Sequence, residues 1–321
     1  MHTKKTAVLL LNLGGPGKQE DVEPFLYNLF SDRQIIRLGP WFLQKFIARR
    51  IARKRAPKSR ESYRKIGGGS PILAITKQQA RALEEALGNS GDYLVRSCMR
   101  YWHPFASEIL PELAREGVGE IIALPLYPQY SVATTGSSLT DLNRTADRLK
   151  LPFTIREIRS WPDQPQYIRC LAGRIREGLG RFKSTPEVVY SAHSLPQKFI
   201  DEGDPYVDDL HKTISALEKI TGIQGHLCYQ SRSGPVEWLE PSTPDMLRRL
   251  ASSGCRNILM VPISFVSDHV ETLYEIDMLY RDMAAELGME LRSTRALNDD
   301  PEFIGALRDL VLSQPSAPAA M

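Results

Sequence analysis

Long apolar runs are missing from this 321-residue chain: no stretch approaches the ~20 apolar residues that cross a bilayer, which argues against a membrane-spanning helix. Cysteine is scarce as well. Cys98, Cys170, Cys228 and Cys255 stand singly, with no Cys-x-x-Cys pair, so a disulfide framework and a zinc ribbon are set aside and buried free thiols are expected. Charge of one sign is not in excess, since 41 Lys and Arg offset 38 Asp and Glu. A net charge of +3, without zinc-finger spacing or an RNA-binding aromatic motif, gives no footing for nucleic acid. Familiar loops are absent too. Gly14-Gly15-Pro16-Gly17-Lys18 is not Gly-x-Gly-x-x-Gly, and Gln19 stands where a phosphate loop needs Ser or Thr for magnesium. Ser194 lacks a Gly-x-Ser-x-Gly elbow, which sets aside a hydrolase triad. The basic-then-apolar start, residues 1–13, has the outline of a signal peptide, but the glycine loop after it is not an Ala-x-Ala cleavage site. It reads instead as a first buried strand, and the protein as cytoplasmic.

What is present is alternation. The length exceeds one ordinary core and suggests two domains. Short apolar runs at 7–13, 93–98, 120–124, 154–158, 188–191, 226–229, 257–261 and near 289–291 read as strands. Helical periodicity fills 77–87, 107–116, 137–149, 167–178, 207–220 and 271–287. Strands alternating with helices of this length make an α/β protein with parallel sheets and right-handed crossovers. A faint duplication aligns 7–16 with 187–196, and Gly117-x3-Ile121-x3-Pro125 with Gly254-x3-Ile258-x3-Pro262, which superposes Thr134 on Glu271. Two such units would face a shared cleft, as 1–150 and 151–300, meeting near Lys150-Leu151-Pro152. The Pro/Ala-rich tail, 314–321, is expected to be disordered.

Chemistry concentrates at the ends of the later strands, where open α/β sheets bind ligands. Pro262 ends the run 258–261, and Ser264, Ser267, Asp268, His269, Glu271 and Glu275 follow closely. A helix through this segment would align Asp268, Glu271 and Glu275, at i, i+3 and i+7, as a file of proton acceptors or hard metal ligands. The alternative is a capping box from Asp268 to Glu271. Ser191-Ala192-His193-Ser194-Leu195-Pro196 puts a histidine directly after a strand, suited to hold a metal, take a proton or hydrogen-bond a loop. Tyr127 and Tyr130, between and after prolines, offer an aromatic wall, and Thr134 to Ser138 offers hydroxyls to an anion or a cap. Residues 41–55 read as an amphipathic helix. Its stripe Phe42, Leu43, Phe46, Ile47 and Ile51, with Lys45, Arg49, Arg53 and Lys54 on other faces, fits either an anionic membrane surface or an ordinary packed helix.

Taken together, 124–131, 191–196, Cys228 to Pro235 with Trp238-Leu239-x-Pro241, 265–277, 66–72 and Met99-Arg100-Tyr101-x-His103-Pro104 resemble the ferrochelatases, collinearly from about Thr6 to about Leu312. The resemblance implies insertion of Fe²⁺ into a dicarboxylate porphyrin, protoporphyrin IX, with release of two protons. It implies two similar Rossmann-like, chelatase-type domains and a C-terminal helix, about 301–313, returning to the first. His193 and Glu271 map onto the catalytic pair that holds iron and takes protons, and Asp268, His269 and Glu275 onto the path around it. Arg55, Tyr63, Ser70, Arg100 and Tyr130 map onto porphyrin-binding and lip positions, and 41–55 onto a mobile lip that touches membrane in relatives. Porphyrin and ferrous iron are thus the implied partners. One departure concerns cofactors: relatives with a [2Fe–2S] cluster carry a C-terminal cysteine group, whereas Val132 follows Tyr130-Ser131 here and no cysteine follows Cys255, so no cluster is expected. Rival readings are the same chemistry on coproporphyrin III, a cobalt or nickel chelatase, and a carrier that binds tetrapyrrole without turnover.

Overall fold

The computed structural model describes residues 5–232 and 234–314. The start of the signal-like segment, Ser233 of the Cys228–Pro235 motif, and the tail beyond 314 lie outside the described residues. The first half runs β1 (Thr6–Asn12), α1 (Val22–Ser31), α2 (Gln44–Lys65), α3 (Ile72–Leu87), β2 (Tyr93–Met99), α4 (Ala106–Arg115), β3 (Glu120–Pro125), α5 (Ser137–Arg148) and β4 (Thr154–Glu157). The second runs α6 (Pro165–Leu179), β5 (Glu187–His193), α7 (Gln197–Asp201), α8 (Tyr206–Thr221), β6 (Gly225–Gln230), α9 (Thr243–Ser252), β7 (Asn257–Pro262), α10 (Arg281–Glu286), β8 (Glu290–Ser293) and α11 (Pro301–Leu312).

Each half builds one parallel four-stranded sheet, ordered β2-β1-β3-β4 and β6-β5-β7-β8. The two orders are the same pattern, so the duplication read in the sequence is a duplication of topology. It extends further: a π-helical turn, Val132–Gly136, follows β3, and a longer π-helix, Glu271–Tyr280, follows β7 at the corresponding place. The central strands are apolar throughout because helices cover both faces, and β1 is buried at all seven positions. One apolar cluster joins the halves, running from Val8 and Leu10 through Trp161 and Tyr167 to Tyr190 and Val261. The C-terminal helix α11 inserts Phe303, Ile304, Leu307 and Val311 into it and packs on both α3 and α6, so it bridges the halves rather than returning to the first alone.

Three expectations are corrected. The segment 271–287 is π-helical to Tyr280 and α-helical only from Arg281 to Glu286. Periodicity left α1, α7 and α9 unassigned, although Ser242 caps α9 by accepting from Asp245 N at 3.2 Å. The helix beginning near 41 continues to Lys65 as α2, and its buried face is not the aromatic stripe. Gln44, Ala48, Ala52 and Ala56, four apart, pack against α1, while Trp41, Phe42 and Phe46 are 78%, 65% and 61% exposed. Small residues let two backbones approach closely, which turns the large side chains outward.

Candidate active site

Parallel register brings the ends of β5 and β6 side by side, with His193 opposite Gln230. The β7 strand, on the other flank of β5, leads through residues 263–270 into the π-helix. Three chain segments therefore converge on one carboxylate. Glu271 Oε2 accepts from His193 Nδ1 at 2.8 Å, from Ser231 Oγ at 2.9 Å and from Gln230 Nε2 at 3.2 Å. Burial works against a charge on Glu271, but the His193 ring beside it and these donors outweigh it and hold the carboxyl well below its ordinary range. A carboxylate only accepts, so Nδ1 of His193 carries a proton. Burial lowers the proton affinity of His193 and the Glu271 charge raises it, with a net rise. The ring is fixed further by Tyr206, whose hydroxyl donates to the His193 carbonyl at 3.0 Å, and by Ser264 Oγ, which accepts from His193 N at 3.1 Å.

Ser231 stands in the left-handed region, φ 66°, and its single hydroxyl lies between two carboxyls, 2.9 Å from Glu271 Oε2 and 2.5 Å from Glu275 Oε2. One hydroxyl hydrogen satisfies only one of them, so the arrangement closes when Glu275 carries a proton. Burial first, and then the Glu271 charge, raise the proton affinity of Glu275 accordingly. His269 completes the group on the other side. Its Nδ1 donates to the Ser267 carbonyl at 3.0 Å, which leaves Nε2 with a free lone pair 4.0 Å from Glu271 Oε1. Burial keeps this ring neutral by lowering its proton affinity. The Phe265 ring lies between the two imidazoles, with centroids 6.4 Å from His193 and 4.3 Å from His269.

The expected single file of carboxylates is not formed. Asp268 precedes the helix and does not cap it; it accepts from Thr272 Oγ1 and Asn298 Nδ2 instead. With Asp277, Arg181, Arg281 and Arg292 it lines a separate cavity of about 700 Å³ that neither Glu271 nor Glu275 reaches. A helix with more residues per turn than the α-helix breaks the i, i+3, i+7 alignment, and Asp268 lies before it.

The remaining expected residues are spread around this centre. Tyr63 is buried at the end of α2, its hydroxyl held protonated first by burial and then by the nearby Glu271 charge. Arg55 stacks on Phe30 with 5.2 Å from guanidinium to ring centroid, and burial lowers its proton affinity; among the described residues it has no carboxylate partner. Ser70 locks two glycine loops together: its N donates to Pro16 O at 2.8 Å, and a Cβ on neighbouring Gly69 would fall 2.2 Å from Gly17 O. Arg100 is engaged by Asp32 and Ser137, both at 2.8 Å, and Tyr130 by Arg159 at 3.3 Å. Ser70, Arg100 and Tyr130 share no described contact with His193 or Glu271. Gln230 and Ser231 carried no role in the sequence reading. Their signal was register: a strand pairing with β5 in parallel ends beside His193.

The arrangement combines a basic imidazole oriented by a carboxylate, a second imidazole with a free nitrogen, and a protonated carboxyl two bonds away. It can accept protons and pass an ion along oxygen and nitrogen ligands. Among the described residues no three or more His, Cys, Asp or Glu side chains are grouped to hold a metal ion.

The ferrochelatase family model matches residues 5–314. The ferrochelatase of Desulfotalea psychrophila is 56% identical over 313 residues, covering 97% of this chain and 98% of that protein. That of Geotalea uraniireducens is 53% identical over 312 residues, covering 96% and 97%. Among solved structures, SirB from Bacillus subtilis with Fe³⁺ superposes with a TM-score of 0.57 at 13% identity, covering 96% of this chain and 94% of that one, a likeness of fold.

Proposed function

The chain belongs to the ferrochelatase family, and from that membership we propose how its own residues carry out the reaction. The enzyme is a lyase-class metallochelatase of haem biosynthesis, with a porphyrin and Fe²⁺ as substrates. A free-base porphyrin gives up two pyrrole protons as the metal enters. His193 is the acceptor, because Glu271 fixes its Nδ1–H and directs Nε2 outward as the base, as a carboxylate orients imidazole in other acid–base sites. Glu271, kept ionised, presents Fe²⁺ through Oε1 together with the free Nε2 of His269. Ser231 and Glu275 then lead the released protons away from the pair. The observation that carries this reading is the 2.8 Å contact between His193 and Glu271 at the ends of different elements.

Protoporphyrin IX is the porphyrin we favour. Arg55, half-buried and stacked on Phe30 without a carboxylate of its own, suits one propionate, and Tyr63 faces the ring beside Glu271. Ser70 acts through the glycine loops, and Arg100 and Tyr130 are the outer pocket positions. The exposed Lys45, Arg49, Arg53, Lys54 and Lys58 along α2 favour a second reading, coproporphyrin III with its four carboxylates. The enzyme works without a [2Fe–2S] cluster, which needs four converging thiolates; the four cysteines lie apart, on β2, α6, β6 and after α9. No helix of the described residues is long and apolar enough to cross a membrane. We place the protein in the cytoplasm, touching membrane through the exposed aromatic and basic start of α2.

The test is an anaerobic assay with Fe²⁺ and each porphyrin in turn, following loss of free-base fluorescence. Wild type is expected to quench protoporphyrin IX faster, and His193→Ala to lose about 100-fold or more, the range for a general base. Near-normal turnover in His193→Ala sinks the proposed role, and faster quenching of coproporphyrin III reassigns the substrate.

A further inference from the structure

We propose that Asn298 and Gln79 form a clamp that positions His269 against Glu271, and so governs the handling of Fe²⁺ and not the binding of porphyrin. The inference rests on the reading of Glu271 and His269 as the iron side of the site. The π-helix begins at Glu271 with no side-chain cap, and the preceding residues 263–269 have no regular hydrogen-bonded structure, so something else must fix its first turn. That role falls to two residues distant in sequence.

Gln79 is fully buried in α3 and donates both amide hydrogens to the other half of the molecule, to Ser267 Oγ at 3.0 Å and to the Asn298 carbonyl at 2.8 Å. Asn298 adopts φ 45°, a region Asn tolerates better than most residues. Its N donates to the Val266 carbonyl at 2.8 Å. Its side chain then closes a two-bond ring with Asp268: Asp268 N donates to Oδ1 at 2.9 Å, and Nδ2 donates to Asp268 Oδ2 at 2.8 Å. The held segment passes its geometry to the imidazole. Ser267 O accepts from His269 Nδ1, while Thr272 Oγ1, which donates to Asp268 Oδ1, accepts from His269 N at 3.1 Å. Gln79 and Asn298 touch neither His193 nor Arg55; they hold Ser267 and Asp268, the residues directly before His269, so loosening them acts first on the iron side. The Ser267 carbonyl is the partner that orients the His269 ring, and the clamp fixes the backbone that carries it.

Two variants test it. Asn298→Gly keeps the left-handed backbone and deletes the ring with Asp268; Gln79→Met keeps the length and removes both donors. Anaerobic kinetics are measured with Fe²⁺ and porphyrin varied separately, alongside porphyrin affinity by tryptophan quenching. The expected result is kcat lower, or KM for Fe²⁺ higher, by about 10- to 100-fold, the usual cost of losing such a partner, with porphyrin affinity at the wild-type value. Wild-type kinetics in both variants overturns the clamp. Loss of porphyrin affinity in step with kcat also overturns it, since a purely structural role does that. Glu271→Gln, run in parallel, separates the two levels: if it loses turnover while the clamp variants do not, only the clamp fails, and if it keeps turnover, the reading beneath it fails.

Discussion

His193 and Glu271 shift each other in opposite directions, and the sign of each shift sets where the pair stabilises the fold. The imidazole binds its proton above the ordinary 6.5, so its share is complete below 6.5 and is lost as pH rises through the raised folded value. The carboxyl sits below its ordinary 4.5, so its share is complete above 4.5 and is lost as pH falls through the lowered folded value. Both shares are in force between these limits. Removing the carboxylate leaves burial as the leading influence on the ring, and burial lowers its proton affinity. An NMR titration of His193 is therefore expected to show a midpoint above 6.5 in wild type and below 6.5 in Glu271→Gln. An unchanged midpoint would show that Glu271 is not the cause. That both residues stand near the ends of apolar strands was legible in the sequence, while their pairing was implied only by the family resemblance. Ser231 was not, because its importance comes from one hydroxyl shared by two carboxyls that meet only in three dimensions.

Among the elements, α2 shows how periodicity can find a helix and mistake its face. The apolar stripe was real, but Ala48, Ala52 and Ala56 are the residues packed on α1, and Trp41, Phe42 and Phe46 stand in solvent beside Lys45, Arg49 and Arg53. Small residues carry little hydrophobic signal, so their close packing does not register in a periodicity count. Exposed aromatics flanked by basic residues bind anionic lipid surfaces. Flotation with anionic vesicles is expected to carry wild type upward and to leave a Phe42→Ser/Phe46→Ser variant behind; equal flotation of both would place the contact elsewhere. The π-helix after β7 was equally hidden. Its sequence satisfies an α-helical pattern, and only the hydrogen bonds show the larger turn, with Asp268 lying before it.

At the scale of the whole molecule, the central strands were legible as apolar runs and the two-sheet division from the chain's length and its faint duplication, whereas the edge strands β4 and β8 carry charged residues and little burial. How the sheets join was not, because it depends on side chains such as Gln129, which donates to Thr213 Oγ1 at 2.9 Å and to the Ile263 carbonyl at 3.1 Å. One apolar cluster shared by both halves, with α11 lodged across it, makes the halves interdependent, although each half also keeps a cluster of its own. Denaturation followed by circular dichroism and by tryptophan emission is expected to give coincident transitions, with Phe303→Ala destabilising both by about 3–5 kcal/mol. Two separated transitions would mean that the halves fold independently. The distribution of sulfur has a consequence of its own. Cys98, Cys170 and Cys228 are buried, and burial pushes their thiols up to about 12, about 12 and about 11; it raises the half-exposed Cys255 as well. Ferrous iron in air generates peroxide, and the thiolate is the form of cysteine that peroxide attacks. Cys98, Cys170 and Cys228, buried and held as neutral thiols, therefore present little thiolate to the peroxide that the enzyme's own cargo generates.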